Sequence, residues 1–201
     1  SWSCAKEVNP PALAGTATAN GGGVYAAVPS TLADGTYAFS VKQIDLAGNE
    51  STLSPSLSVT IRTLVATPSA PDLDPASDTR ASTTDNNTND STPMFTGTAE
   101  PSVLVTLYKH GTDVGTATSN GVGSYTVTSS PLTDGVYAFT VKQTDLAGNL
   151  SAASPSLSVT IDTVAPGAPL ATDLVSSSDT GASNSDNITN ATAPTFNGSV
   201  E

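Results

Sequence analysis

The chain is 201 residues long with a formal net charge of −12, although only 12% of its side chains are charged. So acidic a surface argues against nucleic acid and anionic membranes as partners, because phosphate groups demand Lys and Arg. Cys4 is the only cysteine, which excludes an intramolecular disulfide and a cysteine-rich zinc site. No apolar run approaches the ~20 residues of a membrane span. Ser, Thr, Gly, Asn and Pro are abundant and apolar residues come in short β-branched runs, so an all-β protein with many turns is expected. Cysteine poverty with this composition fits an extracellular protein, secreted or on a cell surface, that is stabilised by something other than disulfides. No signal peptide opens the sequence, as expected of a mature product or an interior stretch of a larger one. Ser1 and Trp2 make a poor lipidation signal ahead of Cys4.

Self-comparison sets the organisation. DGTYAFSVKQIDLAGN at Asp34–Asn49 returns 100 residues later as DGVYAFTVKQTDLAGN at Asp134–Asn149, and SPSLSVTI at 54–61 recurs unchanged at 154–161. Farther on the shift is 101, pairing Asp78 with Asp179, Asp85 with Asp186, Phe95 with Phe196 and Glu100 with Glu201. The chain reads as a tandem array out of phase with its domain boundaries. We place a first domain at 1–66, a complete one at 67–164, and a linker plus the first strand of a third at 165–201.

In chain order, Ser1–Gly15 stands where Pro101–Gly115 stands in the second copy but matches it poorly, and Pro10-Pro11 would break a central strand. The first domain is therefore expected to lack its first strand or to have an atypical one. In the complete copy Phe95 opens a strand, then Val103, Val105 and Leu107 face one way. A weaker run follows at Val114–Ala117, then Tyr125 and Val127. Tyr137, Phe139 and Val141 alternate with polar or small neighbours, as do Leu157, Val159 and Ile161. Asn120-Gly121, Asp134-Gly135 and Gly148-Asn149 supply the turns between them. Six or seven short antiparallel strands in about 95 residues is the pattern of an immunoglobulin-like β-sandwich. Pro194–Glu201 then reads as a first strand with no domain after it. Either the array continues, or this strand fills the vacant position in the first domain of another copy, giving a head-to-tail filament by strand donation.

Two blocks interrupt the strands, DLDPASDTRASTTDNNTND at Asp72–Asp90 and DLVSSSDTGASNSDNITN at Asp173–Asn190, both crowded with short carboxylates and amides. We read them as junctions where carboxylates of two domains gather around calcium, which takes six to eight oxygens at roughly 2.3–2.6 Å and tolerates irregular geometry. On a sandwich strand order, Asp134 and Asp162 sit at the end from which the chain leaves the second domain. Asp173, Asp179 and Asp186 follow along the linker, so five carboxylates are expected to converge there, with Asn187 nearby. The equivalent set after the first domain is Asp34, Asp72, Asp74, Asp78 and Asp85. Here Arg62 replaces Asp162 and Arg80 replaces Gly181, so fewer ions are expected, or an ion pair in place of one. Asp145, in the DLAGN turn at the opposite end, would face the preceding linker near Asp85 and Asp90. It either closes a site across the junction or caps a tight turn. The plain alternative for all these acids is Asx turns and solvated side chains.

His110, the only histidine, falls in a hairpin loop without a nucleophile motif, a phosphate-cradling loop or metal-ligand spacing, so no enzymatic activity is expected. A domain that grips glycans or host protein would want an aromatic platform in its loops, and none is seen. The stretches YAFxVKQxDLAGN, SPSLSVTIDTVAPGAP and SDTGASNSDNITNATAPTFNG resemble the bacterial Ig-like domains strung along giant surface adhesins and RTX-type secreted proteins. The resemblance covers nearly everything except Ser1–Gly15. It implies an extender module supporting cell adhesion or biofilm formation, with neighbouring repeats as partners, no membrane insertion, and calcium stiffening the linkers. On that resemblance, ligand roles pass to Asp134, Asp162, Asp173, Asp179 and Asp186, then to Asp34, Asp72, Asp78 and Asp85, with the two arginines departing from the pattern.

Overall fold

A computed structural model describes residues 2–7, 12–79, 82 and 84–200. Among these residues there is no helix, hence none long and apolar enough to cross a membrane. The first repeat forms one four-stranded sheet from β1 (Trp2–Glu7), β2 (Ala12–Ala17), β3 (Gly35–Gln43) and β4 (Leu57–Ile61), in the order β2-β1-β3-β4. The expected gap at its start is thus partly filled, because Trp2–Glu7 and Ala12–Ala17 are strands and β1 lies inside the sheet. Pro10-Pro11, expected to break a central strand, lies outside the described residues.

The second repeat is a complete sandwich. One sheet holds β5 (Asp72–Leu73), β7 (Met94–Thr98) and β10 (Ser124–Thr128) in the order β10-β7-β5. The other holds β6 (Asn87–Thr88), β8 (Leu104–Lys109), β9 (Thr112–Thr118), β11 (Gly135–Thr144) and β12 (Leu157–Ile161), in the order β6-β12-β11-β8-β9. The period-two alternation aims Val105, Leu107, Phe139, Val141, Val159 and Ile161 inward, where all are buried. Phe95 on β7 meets Phe139 on β11 with ring centroids 4.5 Å apart, which ties the two sheets together. Tyr137 donates its hydroxyl hydrogen to the Thr133 carbonyl four residues upstream at 3.1 Å, and Tyr37 does the same to Ala33 at 2.9 Å. This is the tyrosine corner of Ig-type sandwiches.

The first acidic block is part of this sandwich, contrary to its reading as an interdomain linker. Its β5 pairs with β7, and β6 runs parallel to β12 with Asn87 opposite Thr160 and Thr88 opposite Ile161. Ser77, Asp78 and Thr88 are buried. The block begins beside the leading end of the domain and finishes at its trailing end. There Asp162 N donates to Thr88 O at 2.9 Å and Leu132 N donates to Ser91 O at 2.8 Å. After the second domain, β13 (Asp173–Leu174) and β14 (Phe196–Asn197) form an antiparallel pair that repeats β5 and β7, with Phe196 exposed.

Candidate functional site

The best-defined polar constellation joins the first two domains through residues 62–66, directly after β4. On the side of the first domain, Asp34 of the Asp-Gly turn accepts from Thr63: its Oδ1 from the Thr63 amide at 3.1 Å and from Thr63 Oγ1 at 2.8 Å. These bonds, the backbone one first, hold the Asp34 carboxyl below its ordinary range. The second repeat copies the clamp, with Asp134 Oδ1 accepting from the Thr163 amide at 3.0 Å and from Thr163 Oγ1 at 2.8 Å.

On the side of the second domain, the same short segment is held by four side chains. Arg62 Nε lies 3.0 Å from Asp145 Oδ2, and Arg62 Nη2 pairs with Glu100 Oε2. Glu100 Oε1 accepts from the Ala66 amide at 3.1 Å. Gln143 uses both halves of its amide, accepting from Glu100 N at 2.7 Å and donating to Ala66 O at 2.8 Å. Asn149 Nδ2 donates to Arg62 O at 2.9 Å. Burial follows the contacts: Gln143 and Asp145 are buried, whereas Gln43 and Asp45, their counterparts in the first repeat, are exposed.

Asp145 also caps its own turn, the second of its two expected roles, and across the junction it meets Arg62 rather than Asp85 and Asp90. Its Oδ1 accepts from Ala147 N at 2.9 Å and Asn149 N at 2.8 Å, and its Oδ2 accepts from Asn149 Nδ2 at 2.9 Å. The Asn149 side chain leads the causes that hold this carboxyl below its ordinary range, and Arg62 adds to them. A cleft of about 340 Å³ opens beside the ion pairs, lined by Thr60, Arg62, Pro101, Asp145 and Leu146 among others.

The remaining predicted ligands sit elsewhere. Asp78 and Asp85 do not gather with Asp34, because their loop lies against β12 of the second domain. Asp85 and Asp90, expected beside Asp145, are likewise in the block that runs to the trailing end. Most of these acids cap local turns. Asp74 Oδ1 accepts from Ala76 N, Asp85 Oδ1 from Asn87 N, Asp162 Oδ1 from Val164 N, Asp173 Oδ1 from Leu174 N, and Asp186 Oδ1 from Ile188 N. Asp72 is exposed on β5. Among the described residues no three His, Cys, Asp or Glu side chains are grouped to hold a metal ion, so the expected convergence of five carboxylates is absent there. Arg80 and Glu201 lie outside the described residues.

Two carboxylates stand apart. Asp78 and Asp179, at the same place in successive repeats, are buried, and each leaves its Oδ1 without a hydrogen-bond partner. Their Oδ2 atoms accept from Asn86 N at 3.3 Å and Asn187 N at 3.2 Å, amides whose residues share a left-handed φ of 59°. In the later copy the loop closes on Gly181, where a Cβ would lie 2.8 Å from Ile188 O and 3.1 Å from Asp186 Oδ1.

Comparison with known proteins places this sandwich and its repeats. Three successive segments, residues 6–63, 64–163 and 166–201, match the bacterial Ig-like domain. The chain belongs to that family. A 140-residue stretch of this Ig-like chain, 68% of it, is 36% identical to chitinase A1 of Niallia circulans, and spans 19% of that protein. Among solved structures, the fibronectin(III)-like modules of Clostridium thermocellum CbhA align at 16% identity and a TM-score of 0.40, over 80% of this chain and 77% of that one. The BSP domain of a biofilm associated protein aligns at 18% identity and 0.35, over 82% and 25%. A 1.5-MDa bacterial ice-binding adhesin aligns at 18% identity and 0.34, over 80% and 52%.

Reading the sequence alone missed Thr63, Glu100, Gln143 and Asn149 as the groups that splice the Ig-like domains. One signal was present. Gln43 and Gln143 occupy a position on β3 and β11 in step with the inward-facing Phe and Val, where a core strand ordinarily carries an apolar residue.

Proposed function

We propose that this chain is a structural extender: consecutive Ig-like sandwiches spliced end to end, so that a surface protein of the adhesin or biofilm type holds a distant binding domain away from the cell. The observation that carries this reading is the two-sided splice at 62–66, where Asp34 grips Thr63 from one domain while Glu100 and Gln143 grip Ala66 from the next. A five-residue segment bonded on both sides has little freedom to swing. Its location is extracellular, it carries no enzymatic activity of its own, and its immediate partners are neighbouring repeats. The likeness to 19% of chitinase A1 fits a part that recurs inside larger proteins.

Calcium is the proposed stiffening ion. Asp78 and Asp179 fit it, because a buried carboxylate oxygen without a donor is an unfavourable state that a cation relieves. Asp85 and Asp186 are the adjoining acids that would share it, while Asp134 and Asp162 supply carboxylates at the trailing end of the second domain. Binding would add stability as RT ln(1 + [L]/Kd), about 2.7 kcal/mol at a hundredfold excess over Kd. Small-angle scattering of the full chain in millimolar calcium and in EDTA tests this. A narrower, longer distance distribution with calcium is expected, and superimposable curves would remove calcium from the account.

A second reading is the subunit of a strand-donated filament, in which apolar side chains exposed on β14 and in the first repeat would be covered by another copy. Phe196 on β14 is exposed, whereas its counterpart Phe95 is fully buried. Tyr25 is 38% exposed in the first repeat against 3% for Tyr125. Electron microscopy of the concentrated protein should show fibres on this reading, and dispersed particles at every concentration would exclude it.

A further inference from the structure

We infer that Arg62 is the resident cation of the first junction: its guanidinium stands between the carboxylates of Asp145 and Glu100 where a metal ion would otherwise be needed, so the first two domains are locked together without any metal. The inference rests on the chain being a stiffened module but is independent of calcium binding anywhere in it. Three observations carry it. The guanidinium faces two carboxylates from separate parts of the second domain, just past β7 and in the turn after β11, while residue 62 directly follows β4 of the first.

Burial supplies the second. The Asp145 side chain is only 1% exposed, and a carboxylate so enclosed must be matched by a cation or by a full set of donors. Its hydrogen bonds to Ala147 and Asn149 already exist within the turn, so the charge that arrives with the junction is that of Arg62. A guanidinium suits this place better than an ammonium, because its separate N–H groups reach two carboxylates in fixed directions.

The third is the comparison of repeats. At the next junction position 162 is Asp, and Glu201 takes the place of Glu100. The sign of the charge at this one position reverses while the acid that faced it is kept. Two carboxylates brought to the same place repel unless a cation from solution enters, so a single residue decides between a self-contained junction and a metal-requiring one.

Paired spin labels on Ser58→Cys and Ser158→Cys, exposed equivalent positions on β4 and β12, in a Cys4→Ser background, report the distance between the domains. In EDTA the parent chain should give one narrow distance that millimolar calcium leaves unchanged. Arg62→Ala should broaden it in both buffers, and Arg62→Asp should broaden it in EDTA and regain the narrow distance when calcium is added. A parent distance that is broad in EDTA and narrows with calcium would overturn the inference. So would Arg62→Ala as narrow as the parent, or Arg62→Asp that calcium does not restore. Calcium-induced NMR shifts of the Asn86, Thr163 and Asn187 amides in the parent chain report the separate calcium reading. Either result can fail while the other stands.

Discussion

Asp45 and Asp145 occupy the same place in two copies of one turn, and their side chains make the same bonds to that turn. Asn49 Nδ2 donates to Asp45 Oδ2 at 2.8 Å, as Asn149 Nδ2 does to Asp145. That side-chain bond is the first cause holding the Asp45 carboxyl below its ordinary 3.8. Because the folded value is depressed, the stabilising contribution is complete above 3.8 and is lost as pH falls through the lowered folded value. An NMR titration of the Asp45 carboxyl carbon should therefore show a midpoint below 3.8, and Asn49→Ala should move that midpoint up. Asp34 offers a second residue-level test. Asp34→Ala should speed hydrogen exchange at the Thr63 amide, which loses both carboxylate oxygens as acceptors, while Thr163, held by Asp134, keeps its protection.

Among the elements, the paired Phe95 and Phe139 rings make β7 and β11 the centre of the complete sandwich. Both side chains are fully buried, so Phe139→Ala should cost about 3–5 kcal/mol of unfolding free energy in denaturant melts of the second domain. The equivalent Phe39→Ala should cost less, because Phe39 keeps partial exposure on a sheet that, among the described residues, no counterpart of β7 covers. Gly97 on β7 is a second sensitive point. A Cβ there would overlap Tyr125 Oη and come within 2.9 Å of Ser69 Oγ. Tyr125 cannot easily retreat, since its ring is buried in the core. Gly97→Ala should cost about 1–3 kcal/mol by the same melts. The strands of this sandwich were legible in the sequence because period-two alternation survives wherever one face is buried. The two-residue strands β5 and β6 were not, because nothing apolar beyond Leu73 marks them and their pairing partners lie more than twenty residues away in sequence.

For the whole molecule the deciding question is how one domain is fastened to the next. If the splice at 62–66 sets the interdomain geometry, Gln143→Ala should loosen it without unfolding the second domain, seen as independent tumbling of the two domains in NMR relaxation beside a retained cooperative melting transition of the second. Composition and internal repetition by themselves determined the all-β class, the period, the sandwich strands and the acidic character of the loops. These follow from local chemistry: side-chain alternation, turn residues and self-similarity. Which acids meet was decided only by tertiary structure. The pairing of β6 with β12 carries Asp78 and Asp85 away from the first junction, and the seating of Arg62 against Asp145 and Glu100 brings together residues 38 and 83 positions apart. Contacts of that span depend on strand order and on the angle between domains, and neither leaves a periodic trace along the chain.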